Sequence, residues 1–163
     1  MTMAGKVLIL MGSRADKEAM GEAARVLSEY GIPSTMTVAS AHRSPGRTRQ
    51  IVSQAEGEGY SVVIAGAGAA AHLAGVVSAE TLLPVIGVPL AVSPLFGFDS
   101  LLSTVQMPAG IPVATMAVGK AGAQNAGHLA AQILALTDPG LRKKVGEHRR
   151  RMSEEVAASA EEE

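Results

Sequence analysis

The sequence has no cysteine and no tryptophan, and only two Tyr and two Phe among its 163 residues are aromatic. Without cysteine there is no disulfide, no thiolate nucleophile, no iron–sulfur cluster and no Cys-ligated zinc. With so few aromatic rings, a single-stranded nucleic-acid binder built on stacking platforms is disfavoured. Charge in excess is missing too: 14 Lys+Arg against 15 Asp+Glu leave a net −1, which argues against a polyphosphate partner. No stretch is long, apolar and Gly-poor enough to read as a membrane span. The apolar run Val7–Met11 is five residues, too short for the core of a signal peptide. The expectation is a cytoplasmic protein with neither nucleic acid nor membrane as partner.

What is abundant is small. Twenty-eight Ala stand beside 18 Gly, so the core must rest on close backbone approach and on Val, Ile, Leu and Met. The length suits one domain spanning 1–163, with a core at about 7–136 and a helical tail over 138–163. Apolar runs alternate with amphipathic segments. Val7–Met11 reads as a buried strand, Asp16–Tyr30 as a helix closed by Gly31, and Ser34–Ala39 as a second strand. Pro45–Gly57 reads as a helix and Ser61–Ala65 as a strand, followed by a Gly/Ala loop over 66–71 and a helix to about Ala79. Pro84–Val88 is a fourth strand, 111–118 holds a fifth, and Ala121–Leu136 is a long helix. Alternating strands and helices, with strands that do not alternate in polarity, predict a three-layer α/β/α domain with a parallel sheet of flavodoxin-like order.

Between Ser61 and Gly119, a span of 59 residues, the only charged side chains are Glu80 and Asp99. A solvated surface carries charge at about a quarter of its positions. This third of the chain is therefore expected to face other copies of itself, in a homo-oligomer of more than two subunits. The tail differs: Arg142–Lys144 and Arg149–Arg151 supply six of the 14 basic residues, followed by Glu154, Glu155 and Glu161–Glu163. That pattern reads as a solvated, self-compensating helix rather than an anion-binding patch.

In an open parallel sheet, ligands bind beyond the carboxyl ends of the strands. Three segments there are rich in chemistry. Gly12-Ser13-Arg14-Ala15-Asp16 offers amides and a hydroxyl at a helix start, which favours anions, with Asp16 the natural N-cap. Ser40-Ala41-His42-Arg43-Ser44-Pro45 sets His42, able to move a proton near neutral pH, beside Arg43, whose planar fork suits phosphate. Gly66-Ala67-Gly68-Ala69-Ala70-Ala71-His72 contains Gly-x-Gly-x-x-Ala, but it follows the third strand and lacks the downstream acid of a dinucleotide site. It offers bare amides to a flat ligand or a small gas-like molecule, with His72 as a lining residue. Asp99 reads as the cap of a short helix, and the Gly-rich turn after Gly119 can complete a site. The four His, at 42, 72, 128 and 148, are scattered without ligand spacing, so no metal is expected. A Ser13–Asp16–His42 triad lacks the Gly-x-Ser-x-Gly elbow of a hydrolase.

Seven motifs, in order, carry a resemblance: Gly12-Ser13…Asp16, Ser40–Pro45, Ala65–His72, Leu83–Pro89, Asp99–Leu101, Val105–Pro108 and Gly119–Ala126. Together they resemble the PurE family, the 5-(carboxyamino)imidazole ribonucleotide mutases of purine biosynthesis, from about Val7 to Leu136. The resemblance implies a homo-octamer, an imidazole ribonucleotide bearing a carbamate as substrate, and a carboxyl shift without ATP, metal or organic cofactor. It implies that His42 is catalytic, that Ser13, Asp16 and Arg43 bind the nucleotide, and that Ser40 and Arg43 hold its phosphate. Gly68, Ala69 and His72 follow as substrate-binding positions of the third loop. Ala15, Ala69 and Ala74 stand where Ser, Gly and Pro are expected. Two alternatives remain: the family's carboxylase branch, which carries Lys after the catalytic His and lacks the Gly/Ala-His loop, and a non-catalytic nucleotide-binding protein of the same fold.

Overall fold

In the computed structural model, which describes residues 5–160, five parallel strands form one sheet in the order β2-β1-β3-β4-β5. The acidic end at Glu161–Glu163 lies outside the described residues. The strands are β1 (Lys6–Met11), β2 (Ser34–Val38), β3 (Tyr60–Gly68), β4 (Val85–Leu90) and β5 (Ala114–Thr115). The helices are α1 (Lys17–Tyr30), α2 (Pro45–Ala55), α3 (Leu73–Glu80), α4 (Phe98–Val105), α5 (Lys120–Leu134) and α6 (Pro139–Ala160). Every strand pair is parallel, as the buried, non-alternating runs required.

β1 explains the layering. Val7, Ile9 and Met11 face a core made with α1 and α5, while Leu8 and Leu10 face a second core made with α2 and α3. Each such side chain, fully buried, contributes about 1.5–3 kcal/mol. The abundance of small residues has a location. α5 lays Ala123, Ala126, Ala130 and Ala131 against α1, and a Cβ at Gly127 would stand 2.9 Å from Val26 and 3.0 Å from the Ala23 carbonyl. The two helices approach closely because α5 has almost no side chain on that face.

Several elements depart from expectation. β3 runs on through Gly68, so the crossover loop begins at Ala69 rather than Gly66. β5 is two residues long; Pro112 has no N–H to donate, and Met116 and Gly119 donate to Gly87 and Pro89 outside a regular ladder. Asp99 does not cap α4; Gly97, at φ +89°, precedes it and Asp99 lies in the first turn. α6 docks Leu141 and Val145 on the α1/α5 core, but residues 149–159 are all exposed. Among the described residues, no helix is long and apolar enough to cross a membrane.

Candidate active site

The loops after β1, β2 and β3 converge above the carboxyl edge of the sheet, where the strand order reverses. They enclose an open pocket of about 290 Å³, lined by Gly12, Ser13, Asp16, Ser40, His42, Arg43, Gly68, His72 and the rim residue Val92. All the site residues read from the sequence border it except Ala69.

The first loop is a capping box. The Ala15 N–H donates to Ser13 Oγ at 3.1 Å, and the Ser13 N–H donates to Asp16 Oδ2 at 2.9 Å. Asp16 therefore does not cap α1; Ser13 caps the short 3-10 turn that precedes it, and Asp16 reaches back. The Asp16 carboxyl is buried at 6% exposure. Burial pushes its pKa up, against the lowering pull of the Ser13 hydrogen bonds and the Arg43 charge. A carboxylate held under that tension gains from any donor a ligand brings.

The second loop is tied to the first. Arg43 Nη2 donates to the Gly12 carbonyl at 3.0 Å, and its backbone N–H to Ser40 Oγ at 3.1 Å. Ser44 Oγ and N–H both return to the Ser40 carbonyl, and Pro45 opens α2 at its first turn. His42 is exposed at the mouth. Its Nε2 lies 2.7 Å from Nδ1 of His72, with the rings at 84°. One of those nitrogens must carry the hydrogen, so the two imidazoles act as a coupled donor–acceptor pair.

The third loop is held from beneath. Ser103, on α4, accepts from the Ala71 N–H at 3.2 Å and donates to the Asp99 carbonyl. Sequence reasoning missed Ser103 as the residue that fixes this loop; its one signal was a polar side chain in a charge-poor stretch. A Cβ at Gly68 would stand 2.1 Å from Val92 Cγ2 and 3.0 Å from the Leu90 carbonyl, so a side chain there must displace Val92. Ala69 sits at φ +51°, the left-handed region that disfavours a Cβ. Restoring glycine removes that strain but loosens the unfolded chain. Ala69→Gly is therefore expected to stabilise the fold by about 0.5–1 kcal/mol in denaturant titration. A lowered midpoint would mean the loop imposes no strain on this residue.

On one side the pocket is open. Val92, 60% exposed, stands at its edge, and Leu95, Phe96 and Phe98, which follow it in the chain, are each at least 60% exposed.

A family model described as AIR carboxylase matches residues 6–155. N5-carboxyaminoimidazole ribonucleotide mutase of Thermotoga maritima is 50% identical over 156 residues, covering 96% of this chain and 90% of that protein. The Escherichia coli K12 protein of that name is 49% identical over 93% of this chain and 89% of its own length. The Bacillus subtilis one is 50% identical over 94% of each. The crystal structure of Treponema denticola PurE superposes with a TM-score of 0.87 at 25% identity, covering 96% of each chain.

Proposed function

The chain belongs to the AIR carboxylase family, and from that premise we infer that it is a mutase of purine biosynthesis whose proton carrier is His42. The reaction converts N5-carboxyaminoimidazole ribonucleotide to 4-carboxy-5-aminoimidazole ribonucleotide, an isomerisation. The observation that carries the site assignment is the meeting of His42 with Ser13, Asp16 and Arg43 on one side and Gly68 and His72 on the other, around a single pocket.

The carbamate N–C bond breaks with its electron pair returning to nitrogen, which takes a proton from the His42 imidazolium. Carbon dioxide is released. The ring carbon of the resulting aminoimidazole, an electron-rich enamine carbon, then attacks that carbon dioxide. Neutral His42 removes the proton from the same carbon, and the ring regains its aromaticity. One imidazole serves both steps, so the net proton count is zero and the cycle needs no cofactor. Ser13 and Asp16 hold the ribose, Ser40 and Arg43 the phosphate, and the amides after Gly68 face the migrating carboxyl group. Ala69 acts through the loop's shape, not by lining the pocket.

Retention of the gas makes recombination effectively intramolecular and requires a closed chamber. In one protomer the pocket is open, with exposed Val92 on its lining and the exposed apolar Leu95, Phe96 and Phe98 following in the chain. These residues belong to the charge-poor span. We therefore assign this apolar surface to a homo-oligomer, eight subunits on the family resemblance, whose neighbours close the chamber. A cytoplasmic location is part of the same reading, and a chain without cysteine suits it.

The test is a pair of assays. The carbamate ribonucleotide is expected to turn over directly, with no bicarbonate dependence. Preferential turnover of aminoimidazole ribonucleotide plus bicarbonate would make the protein a carboxylase instead.

A further inference from the structure

The four histidines are not scattered in space; they meet two by two. His42 and His72 belong to the pocket. His128, on α5, and His148, on α6, stack 4.5 Å apart at 26°, on the other face of the sheet. Tyr30 Oη lies 3.0 Å from His128 Nδ1, and its ring meets both imidazoles edge-on. Tyr30 is 6% exposed, so the cluster is anchored in the core. Beyond His148, residues 149–159 are exposed, with Arg149, Arg151 and Met152 only at the edges of the clefts around the cluster.

We propose that the Tyr30–His128–His148 cluster is an acid-sensitive latch that docks α6 on α1 and α5 and releases it when both imidazoles carry a proton. Stacked neutral rings attract, and the Tyr30 hydroxyl shares a hydrogen bond with His128 Nδ1. One added proton leaves that bond in place, with Nδ1 as donor and the hydroxyl oxygen as acceptor. A second places like charges face to face at 4.5 Å.

The surroundings favour release. α1 presents Arg25 and Glu29 beside Tyr30; α5 presents only His128 as a titrating group; α6 presents Lys144, Glu147, Arg149 and Arg151 beside His148. Arg25 is paired with Glu22 and Glu29, so little negative charge is left to hold two imidazolium rings. Burial first, then the charges of His148, Arg149 and Arg25, push the His128 pKa below its ordinary value, with Glu29 opposing. A histidine depressed in the folded state supports docking above the unfolded value of about 6.5, and that support is lost as pH falls below it. The proximal ties are Leu141 in the core and Lys144 Nζ on the Tyr30 carbonyl at 2.8 Å. They keep the root of α6 attached.

Amide hydrogen exchange on the full chain tests this, at about pH 7.5 and about pH 5 with intrinsic rates corrected. Protection over residues 145–148 is expected to fall about tenfold or more at the lower pH, while 139–144, β1 and β3 keep theirs. His148→Phe preserves the stack without a titrating group, and His128→Gln preserves the partner for Tyr30. In either variant the pH effect is expected to shrink below about twofold. The latch is overturned if wild-type protection is unchanged, if β1 and β3 lose protection in parallel, or if the tenfold loss persists in either folded variant.

Discussion

His42→Asn is expected to bind the ribonucleotide with near-normal affinity and to turn it over about 100- to 10,000-fold more slowly. The size follows from the two tasks assigned to one side chain. Asparagine ends where the near ring atoms lie, short of the Nε2 that meets His72, so it gives up that one tie. It offers no proton that can be donated and recovered near neutral pH. The proposed substrate contacts are elsewhere, on Ser13, Asp16, Ser40 and Arg43, and the capping box and the Arg43–Gly12 tie do not involve His42. The loss should therefore fall on kcat and kcat/KM alike, the signature of an interaction made only in the transition state. Calorimetric binding of the product, alongside steady-state kinetics, separates the outcomes. Turnover within tenfold of wild type would leave the proposed mechanism without its proton carrier. Lost binding would move His42 from chemistry to substrate positioning.

The fold was readable because its central strands β1, β3 and β4 are buried on both faces. Val7–Met11 is apolar at every position, and only a parallel sheet covered by helices on both sides gives such a run a home. The three loops were readable for the same reason, since each follows a strand end. What spacing could not supply was the meeting of His42 and His72, 30 residues apart. It depends on strand order: β2 and β3 flank β1, so α2 and α3 cover the same face and their first residues face one another. The pairing of His128 with His148 likewise depends on α6 crossing α5. Asp16 illustrates a different gap. Ser13-x-x-Asp16 has the spacing of a capping box, but a 3-10 turn stands ahead of α1 and shifts the cap three residues upstream. The charge-poor span was legible as a surface: Leu82, Val92, Phe96 and Phe98 are among the most exposed apolar residues described.

The second large effect concerns stability at one glycine. A Cβ at Gly122 would stand 1.6 Å from the Ala117 carbonyl oxygen and 2.6 Å from its carbon. The obstacle is backbone, so no side chain can swing aside. Nor can the segment retreat, because Met116 donates to the Gly87 carbonyl and Gly119 to that of Pro89, each at 2.9 Å, pinning it to β4. The remaining escape is for α5 to lift at its first turn, which strains its tie from Lys120 to Glu18 and its packing of Ala123 and Ala126 on α1. Overpacking that side chains absorb costs about 1–3 kcal/mol, so a clash with pinned backbone is expected to cost about 3 kcal/mol or more. For a domain of this size that lowers Tm by about 6–12 °C. Gly146 is the internal control. It lies on the exposed face of α6 with nothing within 4 Å of an added Cβ, so Gly146→Ala should stabilise by up to about 1 kcal/mol through helix propensity alone. The same chemical change is thus expected to have opposite signs at two helical glycines, because at Gly122 the missing Cβ makes room for another strand's neighbouring turn. Equal midpoints for the two variants would show that the close approach of α5 to Ala117 has slack the geometry does not allow.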